Sequence, residues 1–540
     1  MAEKLKFYRT RDFSGGINSL DAEHAIAGNE AVIALNVLVG NGYVESRNGL
    51  TLWNEHDTRT GGITMMCPMY MRDGSTKELF FSNDDDYFTL PSTTTTATSW
   101  TTISDYGTVV NNPFAVQYQN QLFLGTGITA NTQSRWDGAG AITAVGTPAD
   151  ASGDLRFAEY HQGQNIAYLL GAGNVRDNVS HNDSILYYTL DVDDWSGGGT
   201  LGIGTSDGQK LTAVKSHSNI LAYKNNSMYR LDIVYESNSG THVMRVLERF
   251  QDIGAINHEV CQISVNDCIS LSQRHGVRGS QQVQTQLGGS ESRRLSTKIK
   301  PLLDTIDWDT AKTTARAIVW DEKYFISVPL GGSATNNAVF VGFLDSVTAN
   351  GEIPWTLFNI NAGSFAIFQD SNGLDRLMIG DSNEPKIYIW DKDALSDNQS
   401  NITTQYRTGR LDMGDLEVDE FQDIILSGLM TELTELKITV YVDGLSTSYL
   451  ITKDQILNTP AYIWSHVIGS EIVGGTSTDA TKPRWLAILS LPDSHRVGSE
   501  IQVEFSSVGQ GYYWRVDYLS INEPINTNLY PEAHEVSEEG

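Results

Sequence analysis

Apolar and polar residues alternate in short runs along most of the chain, and Gly, Asn or Asp residues separate these runs. Residues 78–82 and 87–90 flank an Asn-Asp-Asp-Asp turn, and residues 112–125 repeat the pattern around a Gln-Asn turn. Such alternation predicts half-buried β-strands, and the polar turns between them predict hairpins. The pattern therefore predicts a mainly β fold.

A unit made of a strand, a short turn and an aromatic strand returns along the chain. Further copies lie at 155–160, 166–171, 185–188, 211–215, 220–224, 227–231, 268–271, 276–279, 317–320, 324–328, 338–343, 376–380 and 386–391. A recurrence of about 40 to 50 residues is typical of β-propeller blades. Because the units carry no Trp-Asp or kelch signature, we predict a degenerate β-propeller over residues 55–395 without fixing its blade number.

One region departs from the β pattern. Residues 295–306 place apolar side chains at helical spacing, and residues 309–316 form a second short candidate helix with Asp307 or Asp309 as its N-cap. We therefore predict a small helical insertion at about residues 293–316 of the propeller-like domain.

The composition changes again at the polar residues 395–401, which are typical of a linker. Longer strands follow, and Asp443-Gly444 is a strong hairpin signal. The strands are predicted at 403–409, 420–427, 436–442, 485–488, 501–505 and 513–521. They favour a C-terminal β-sandwich over residues 403–523. Residues 524–540 read as an acidic C-terminal tail that stays free, and residues 1–54 as an N-terminal arm that leads into the first blade.

The charge balance changes the functional picture. The chain of 540 residues has 37 Lys and Arg against 66 Asp and Glu, a formal net charge of −29. A protein that reads nucleic-acid sequence needs a basic surface, so this balance argues against one. Acidity suits either a conduit wall that repels phosphate or a large subunit that must stay soluble. One basic group stands out against this acidic average and contains Arg293, Arg294, Lys298 and Lys300. It either contacts DNA or an acidic neighbour, or it forms a solvated helix face.

Cysteine usage and hydropathy bound the class further. The three cysteines, Cys67, Cys261 and Cys268, are too few and too widely spaced for a disulfide framework or a zinc site, so buried free thiols are expected. The N-terminus lacks an apolar signal region, and no run of about 18 apolar residues occurs. The sequence predicts a soluble protein made in the cytoplasm and no membrane insertion.

Candidate chemistry is sparse. The Asp84–Asp86 turn lacks the alternating ligands of an EF-hand, and the Gly-rich residues 197–202 have no βαβ unit around them, so a surface loop is expected there. Asp191, Asp193, Asp194 and Trp195 combine carboxylates with an aromatic ring, as sugar sites do, but ordinary blade edges share that combination. We predict a non-enzymatic protein with no catalytic, cofactor-binding or metal-binding residues.

The N-terminal segment 13–18 (FSGGIN), followed by Asn29-Glu30-Ala31, Asn36-Val37 and Arg47-Asn48-Gly49, resembles the opening of bacteriophage tail proteins that form the nozzle or hub of short tails. Residues 252–257 with 270–277, and residues 404–412, resemble a blade and the start of the sandwich in that family. The Gly pair is a backbone device, because Gly adopts positive φ without steric cost. We read this segment as an architectural clasp that places the arm on the first blade or on a neighbouring subunit.

The resemblance implies a structural protein of the virion tail. Its subunits would form a homo-oligomeric ring, six-fold in that family, below the portal and head-to-tail adaptor proteins. Tail fibres or tail-tip proteins would attach to it, and genomic DNA would pass through its lumen without specific contacts. Two alternatives remain at this point: a glycan-binding or glycan-cleaving receptor-recognition propeller of a phage tail, and a tip protein of a long-tailed phage.

Overall fold

The computed structural model describes residues 6–40, 42–56, 59–71, 74, 77–83, 86–91, 100–105, 113–125, 133–145, 155–163, 166–172, 184–191, 193, 195, 198–205, 207–238, 241–265, 267–284, 290–347, 351–411, 419–455, 482–523 and 534–536. Strands dominate these residues, and most of them belong to small antiparallel sheets. The mainly β prediction is therefore confirmed.

The N-terminal arm contributes six strands, which are distributed over three sheets. They are β1 (Tyr8–Thr10), β2 (Gly16–Ile17), β3 (Glu30–Leu35), β4 (Val37–Gly40), β5 (Tyr43–Ser46) and β6 (Gly49–Glu55). Strands β1, β4 and β5 join a seven-stranded sheet, β2 and β3 a ten-stranded sheet, and β6 a four-stranded sheet. The arm thus connects parts of the molecule that are far apart in the chain.

Five four-stranded antiparallel sheets follow. Units one and two contain β7 (Ile63–Tyr70), β8 (Lys77–Asn83), β9 (Asp86–Pro91), β10 (Thr101–Asp105), β11 (Phe114–Tyr118), β12 (Gln121–Gly125), β13 (Ser134–Trp136) and β14 (Thr143–Ala144). Units three and four contain β15 (Phe157–Gln162), β16 (Ala167–Ala172), β17 (Ile185–Thr189), β18 (Gly199–Gly202), β19 (Leu211–Ser216), β20 (Ile220–Lys224), β21 (Met228–Glu236) and β22 (Thr241–Phe250). Unit five contains β23 (Gln262–Ser264), β24 (Asp267–Ser272), β25 (Gly276–Gln284) and β26 (Ser290–Arg294).

The predicted hairpins form where the sequence placed them. Strands β8 and β9 pair in antiparallel register, as do β11 and β12, whose turn residue Gln119 has a φ of 57°. The predicted loop at 197–202 is wrong in its second half. There β18 is the outer strand of unit three, and it pairs with β17. An outer strand needs no alternating apolar side chains, so its Gly-rich sequence concealed it.

Two short helices separate unit five from unit six, as predicted. They are α1 (Lys300–Leu303) and α2 (Trp308–Thr314). Helix α1 is much shorter than the apolar spacing of residues 295–306 indicated. Asp307 is the N-cap of α2, because its carboxylate accepts a hydrogen bond from Thr310 N at 3.3 Å.

Units six and seven complete the series. They contain β27 (Arg316–Trp320), β28 (Lys323–Val328), β29 (Ala338–Phe343), β30 (Trp355–Phe358), β31 (Ala362–Gln369), β32 (Asp375–Asp381) and β33 (Lys386–Asp391). Unit seven has only three strands from this region, and β6 of the arm is its fourth. Residues 49–55 therefore close the last unit before the chain enters the first unit at β7.

The first strands of the units contact one another in series. Contacts join β7 to β11, β11 to β15, β15 to β19, β23 to β27, β27 to β31, and β31 back to β7. A hydrogen bond from Ala255 N to Lys224 O, 3.0 Å long, connects unit four to the segment before unit five. Within the described residues this closed circuit of seven four-stranded units is a β-propeller-like arrangement.

The strands after residue 400 fall into the two large sheets and one small pair. They are β34 (Ile402–Thr408), β35 (Asp419–Glu420), β36 (Asp423–Met430), β37 (Leu436–Val442), β38 (Leu445–Ile451), β39 (Arg484–Ser490), β40 (Val497–Gly498), β41 (Ile501–Gly509), β42 (Trp514–Ile521) and β43 (His534–Val536). The ten-stranded sheet runs β27-β28-β29-β30-β3-β34-β41-β37-β38 with β2 beside β3, so one sheet continues from unit six into this region.

The seven-stranded sheet runs β4-β5-β42-β36-β39-β43, with β1 beside β42. Its Trp514 indole donates to Thr404 Oγ1 of the ten-stranded sheet at 2.8 Å, and its ring lies against Phe505 of that sheet. The prediction of a free C-terminal tail is wrong for residues 534–536, because they form β43, which pairs in parallel with β39. Among the described residues, no helix has the length and apolar character needed to cross a bilayer.

Candidate functional site

The two glycines of the FSGGIN segment sit where no side chain fits. Gly16 has a φ of 68°, and a Cβ there would lie 2.5 Å from Trp355 N and 2.8 Å from Trp355 O. A Cβ on Gly15 would lie 2.7 Å from Asn29 O. Positive φ and close backbone approach both require Gly, so the segment has the backbone role predicted for it.

The residues around the glycines anchor the segment in the ten-stranded sheet. Phe13 is 1% exposed and meets Tyr406 edge-on at 6.0 Å. Asn18 Nδ2 donates to Glu30 Oε2 at 2.7 Å, and Glu30 Oε1 forms an ion pair with Lys298. These contacts place the segment between unit six and the C-terminal strands. The segment does not rest on the first blade, because Gly16 lies against Trp355 of unit six, and contact with a neighbouring subunit stays a prediction.

A second anchor is formed by Arg47, whose side chain is fully buried. It makes a two-pronged ion pair with Asp397, in which Nη1 lies 2.8 Å from Oδ1 and Nη2 contacts Oδ2. Its Nε donates to Asn36 Oδ1 at 2.9 Å. Two parallel N–H···O bonds fix both distance and angle. Arg47 and Asp397 therefore join the arm to residues 395–401, which the sequence identified only as a linker.

Asn36 extends this anchor to two more strands. Its Nδ2 donates to Thr403 O at 2.7 Å and also to Asn359 Oδ1, and its own N donates to Leu357 O at 2.8 Å. Asn36 has a φ of 52°, a value that Asn tolerates better than most residues. We call Asn36, Arg47 and Asp397 the junction node, since they connect the arm, unit six, the linker and β34.

Three of the four basic side chains at 293–300 form ion pairs within the chain. Lys298 pairs with Glu30, Lys300 with Asp304 at 2.5 Å, and Arg294 with Glu291 at 2.8 Å. Arg293 Nε donates to Gly351 O at 2.9 Å. Arg293 and Arg294 belong to β26 and not to a helix face. Because three of these cations already have acidic partners, the group offers less free positive charge to DNA phosphates than its sequence indicated.

A charged triad that the sequence did not predict lies near the centre of the propeller-like circuit. Glu159 of β15, Lys215 of β19 and His258 come together, with Lys215 Nζ 3.3 Å from Glu159 Oε2 and 3.1 Å from His258 Nε2. Burial opposes charge on Glu159, but Lys215 and His258 outweigh it and hold the pKa of that carboxyl below its ordinary value. Burial likewise opposes charge on Lys215, yet Glu159 raises the Lys215 pKa above its ordinary value.

Glu159 and Lys215 therefore remain an ion pair in the folded protein. The Glu159–Lys215 ion pair joins units three and four, and the hydrogen bond from Lys215 to His258 connects them to the segment before unit five. The sequence signal was a charged residue within each of two partly apolar strands, FAEYHQ and LTAVKS. A cavity of about 80 Å³ lies beside the triad, lined by Phe114, Phe157, Leu211, His258 and Arg316 among others. This volume is far below that of ordinary ligand pockets.

The cysteines do not add reactive chemistry. All three are free thiols, and Cys261 and Cys268 are buried as predicted, while Cys67 is partly exposed. Burial raises the pKa of Cys268 to about 12, and it raises the pKa of Cys67 to about 12 as well. Thiols that remain protonated at neutral pH are poor nucleophiles and poor metal ligands.

The candidate sugar site at Asp191–Trp195 does not assemble among the described residues. The Trp195 ring is 5% exposed and packs on Phe123, so it offers no platform to a ligand. Asp193 forms an ion pair with Arg135 at 2.6 Å, and Asp191 Oδ1 accepts from Asp193 N in a local turn. Asp194 lies outside the described residues.

Metal ligands are not grouped in the part of the chain that the structure describes, where no cluster of three or more His, Cys, Asp or Glu side chains suits a metal ion. In the Asp84–Asp86 turn, Asp86 pairs with Arg59 at 2.6 Å, while Asp84 and Asp85 are outside the described residues.

Comparisons with known proteins give little further information. Neither the protein-family models nor the curated proteins match this chain. Among solved structures, the chain is similar to one from the crystal structure of BBS1N in complex with ARL6DN, soaked with mercury. The identity is 9%, the match covers 64% of this chain and 98% of that chain, and the TM-score is 0.37. At these values the similarity carries no inference about function.

Proposed function

We propose that this protein is a structural subunit of a bacteriophage tail, which forms a ring-shaped nozzle or hub below the portal and adaptor through which DNA is ejected. The observation that supports this most is the placement of the resembling residues. Gly15, Gly16, Arg47 and Gly49 all serve the backbone joint between the propeller-like circuit and the large sheets. A motif whose members all hold architecture suits an assembly protein better than an enzyme.

The finer architecture belongs to this proposal. We assign the seven units to a degenerate β-propeller with the α1–α2 insertion, and the two C-terminal sheets to a β-sandwich. The Trp514–Thr404 hydrogen bond and the Phe505–Trp514 contact support face-to-face packing of these sheets. The continuous ten-stranded sheet makes both parts mechanically one body, as a subunit of a pressurised conduit requires.

The surface charge suits DNA that passes without adhesion. The net charge of −29 repels phosphate, and three of the four cations in the basic group at 293–300 are paired with Glu30, Asp304 and Glu291. The proposed partners are further copies of the chain in a six-fold ring, the portal and adaptor proteins, tail fibres or tail-tip proteins, and genomic DNA in the lumen. The proposed location is the virion tail, after synthesis in the host cytoplasm.

Negative-stain microscopy and mass photometry of the purified protein test the proposal. We expect closed rings with a central opening, either from the protein alone or after addition of the adaptor. Quantitative mass spectrometry of purified virions should recover the chain at a fixed copy number relative to the portal. A protein that stays monomeric with the adaptor and is missing from virions would refute the proposal.

A further inference from the structure

An open cleft of about 840 Å³ lies between units three and four, and its lining includes none of the residues of the triad or the junction node. Its walls are the β15–β16 hairpin, the β19–β20 hairpin and the middle of β21. The volume falls within the range of about 300–1,000 Å³ that is usual for small-molecule sites.

Aromatic rings form one side of the cleft. Tyr168 lies between His161, with which it stacks at 6.1 Å, and His242, which it meets edge-on at 5.5 Å. Tyr235 extends the row at the rim, 5.1 Å from His242, and is 61% exposed. Tyr235 therefore presents an aromatic face at the rim of the cleft, where a ligand can pack on it.

Hydrogen bonds fix the two imidazoles in place. His161 Nδ1 lies 2.9 Å from Ser216 Oγ, and His242 Nδ1 lies 2.6 Å from the Tyr168 hydroxyl. For neither ring do the described residues provide a hydrogen-bond partner at Nε2. Each imidazole is therefore held at one nitrogen while the other can serve a ligand.

The polar groups of the cleft select the ligand class. Asp232, Asn219 and Gln162 supply carboxylate and amide groups, and the described lining residues include no Lys or Arg. Arg245 approaches Asp232 to 3.8 Å from outside the lining. Among the lining residues, an anionic ligand such as a phosphate or an acidic sugar would find no Lys or Arg to pair with, and the Asp232 carboxylate would repel it.

We propose that this cleft binds a neutral carbohydrate. The C–H face of a sugar ring packs on Tyr235 and the adjoining imidazoles, while its hydroxyl groups donate to Asp232 and exchange hydrogen bonds with Asn219 and Gln162. This site is distinct from the Asp191–Trp195 candidate and does not depend on the tail assignment.

Titration calorimetry with the full-length protein tests the proposal. The probes are maltohexaose, cellohexaose and chitohexaose as neutral sugars, with sialyllactose and a heparin hexasaccharide as anionic comparisons. We expect saturable binding of at least one neutral probe and weaker or no binding of the anionic ones. The proposal would be overturned if no neutral probe binds or if an anionic probe binds more tightly. Absence of binding by every neutral probe is the result expected if the cleft binds a peptide.

Three variants locate the binding. Tyr235→Ala should weaken the affinity for the bound probe roughly tenfold, because it removes one aromatic contact. Tyr235→Phe retains the ring and should stay within about threefold of the original protein. Leu445→Ala truncates another exposed side chain, 57% exposed on the ten-stranded sheet, and should leave binding unchanged. If Tyr235→Ala binds as well as Leu445→Ala, the cleft is not the site.

Discussion

Gly16 is required both for its positive φ and for its close approach to the Trp355 backbone, and the two effects can be measured separately. A Gly16→Ala substitution meets both a positive φ and a collision with the Trp355 backbone, so we expect a loss of more than about 2 kcal/mol. Gly208 has a similar φ of 69° but nothing within 4 Å of its Cβ position. Gly208→Ala should therefore cost only about 1 kcal/mol.

Calorimetric melting of both variants beside the original protein provides the measurement. The Tm of Gly16→Ala should fall clearly further than that of Gly208→Ala. Equal shifts would mean that φ alone matters at position 16 and that the contact with Trp355 is loose.

The charged triad predicts a specific pH dependence. The pKa of Glu159 lies below its ordinary value of 4.5 in the folded protein, so its stabilising contribution is present above pH 4.5 and is lost as the pH falls through the folded-state pKa. Glu159→Gln removes that contribution and leaves Lys215 without its carboxylate, at a cost of up to about 3 kcal/mol near neutral pH.

Thermal melts of Glu159→Gln and the original protein from neutral pH downward should show a Tm difference that narrows below pH 4.5. The pKa of Lys215 is raised above 10.5, so its contribution should disappear only as the pH rises through that higher value. A Tm difference that stays constant over the acidic range would show that Glu159 is not ionised in the fold.

At the scale of elements, the junction node is expected to keep the N-terminal arm attached to residues 395–401 and β34. Asp397→Asn leaves the fully buried Arg47 guanidinium without its counter-charge, which should cost about 3–5 kcal/mol. The pair between Arg410 and Glu500 offers a control, since Arg410 is 45% exposed and keeps Glu23 as a second partner, so Glu500→Gln should cost less than about 1 kcal/mol. Limited proteolysis and melting of both variants test this, and equal stability of the two would contradict a role for the node.

Strand β6 gives a second prediction at this scale. Because β6 is the fourth strand of unit seven, its amides should exchange with deuterium as slowly as those of β33, with which it pairs from Gly49 to Glu55. Residues 6–7, which precede β1, should exchange rapidly and serve as the internal reference. Rapid exchange throughout 49–55 would mean that the arm only rests on the circuit and does not close it.

The elements also explain which features the sequence could predict. Hairpins such as β8–β9 and β37–β38 depend on alternation and on a local turn, and Asp443 and Gly444 have the positive φ values that their identities indicated. The pairing of β6 with β33 and the insertion of β3 between β30 and β34 are long-range choices. The alternation of apolar and polar residues predicts a strand but does not specify which other strand it pairs with. These long-range pairings could therefore not be predicted from the sequence.

The same limit applied to the candidate sites. Glu159, Lys215 and His258 each look like an ordinary residue in its own strand or loop, and the circuit alone brings them together. The aromatic cleft likewise draws His161 and Tyr235 from different units. By contrast, the GGIN glycines could be predicted as backbone devices, because positive φ leaves a direct mark on residue choice.

At the scale of the whole molecule, the charge distribution predicts that the protein does not bind duplex DNA, and this tests the proposed DNA conduit. Binding to duplex DNA requires cations that can replace counterions along the phosphates, and it weakens steeply with salt when they are present. With a net charge of −29 and Lys298, Lys300 and Arg294 each paired to an acid, we expect no gel shift of duplex DNA at roughly 50 mM salt, where electrostatic binding is strongest.

A double variant makes this result informative. Glu291→Gln with Asp304→Asn releases Arg294 and Lys300 without altering the buried Glu30–Lys298 pair. If these ion pairs are what prevents the basic group from binding DNA, this variant should gain weak DNA binding that disappears at roughly 200 mM salt. Salt-sensitive binding by the unaltered protein would contradict a non-adhesive lumen, because DNA driven through a ring of several copies would then meet the same attraction at each subunit.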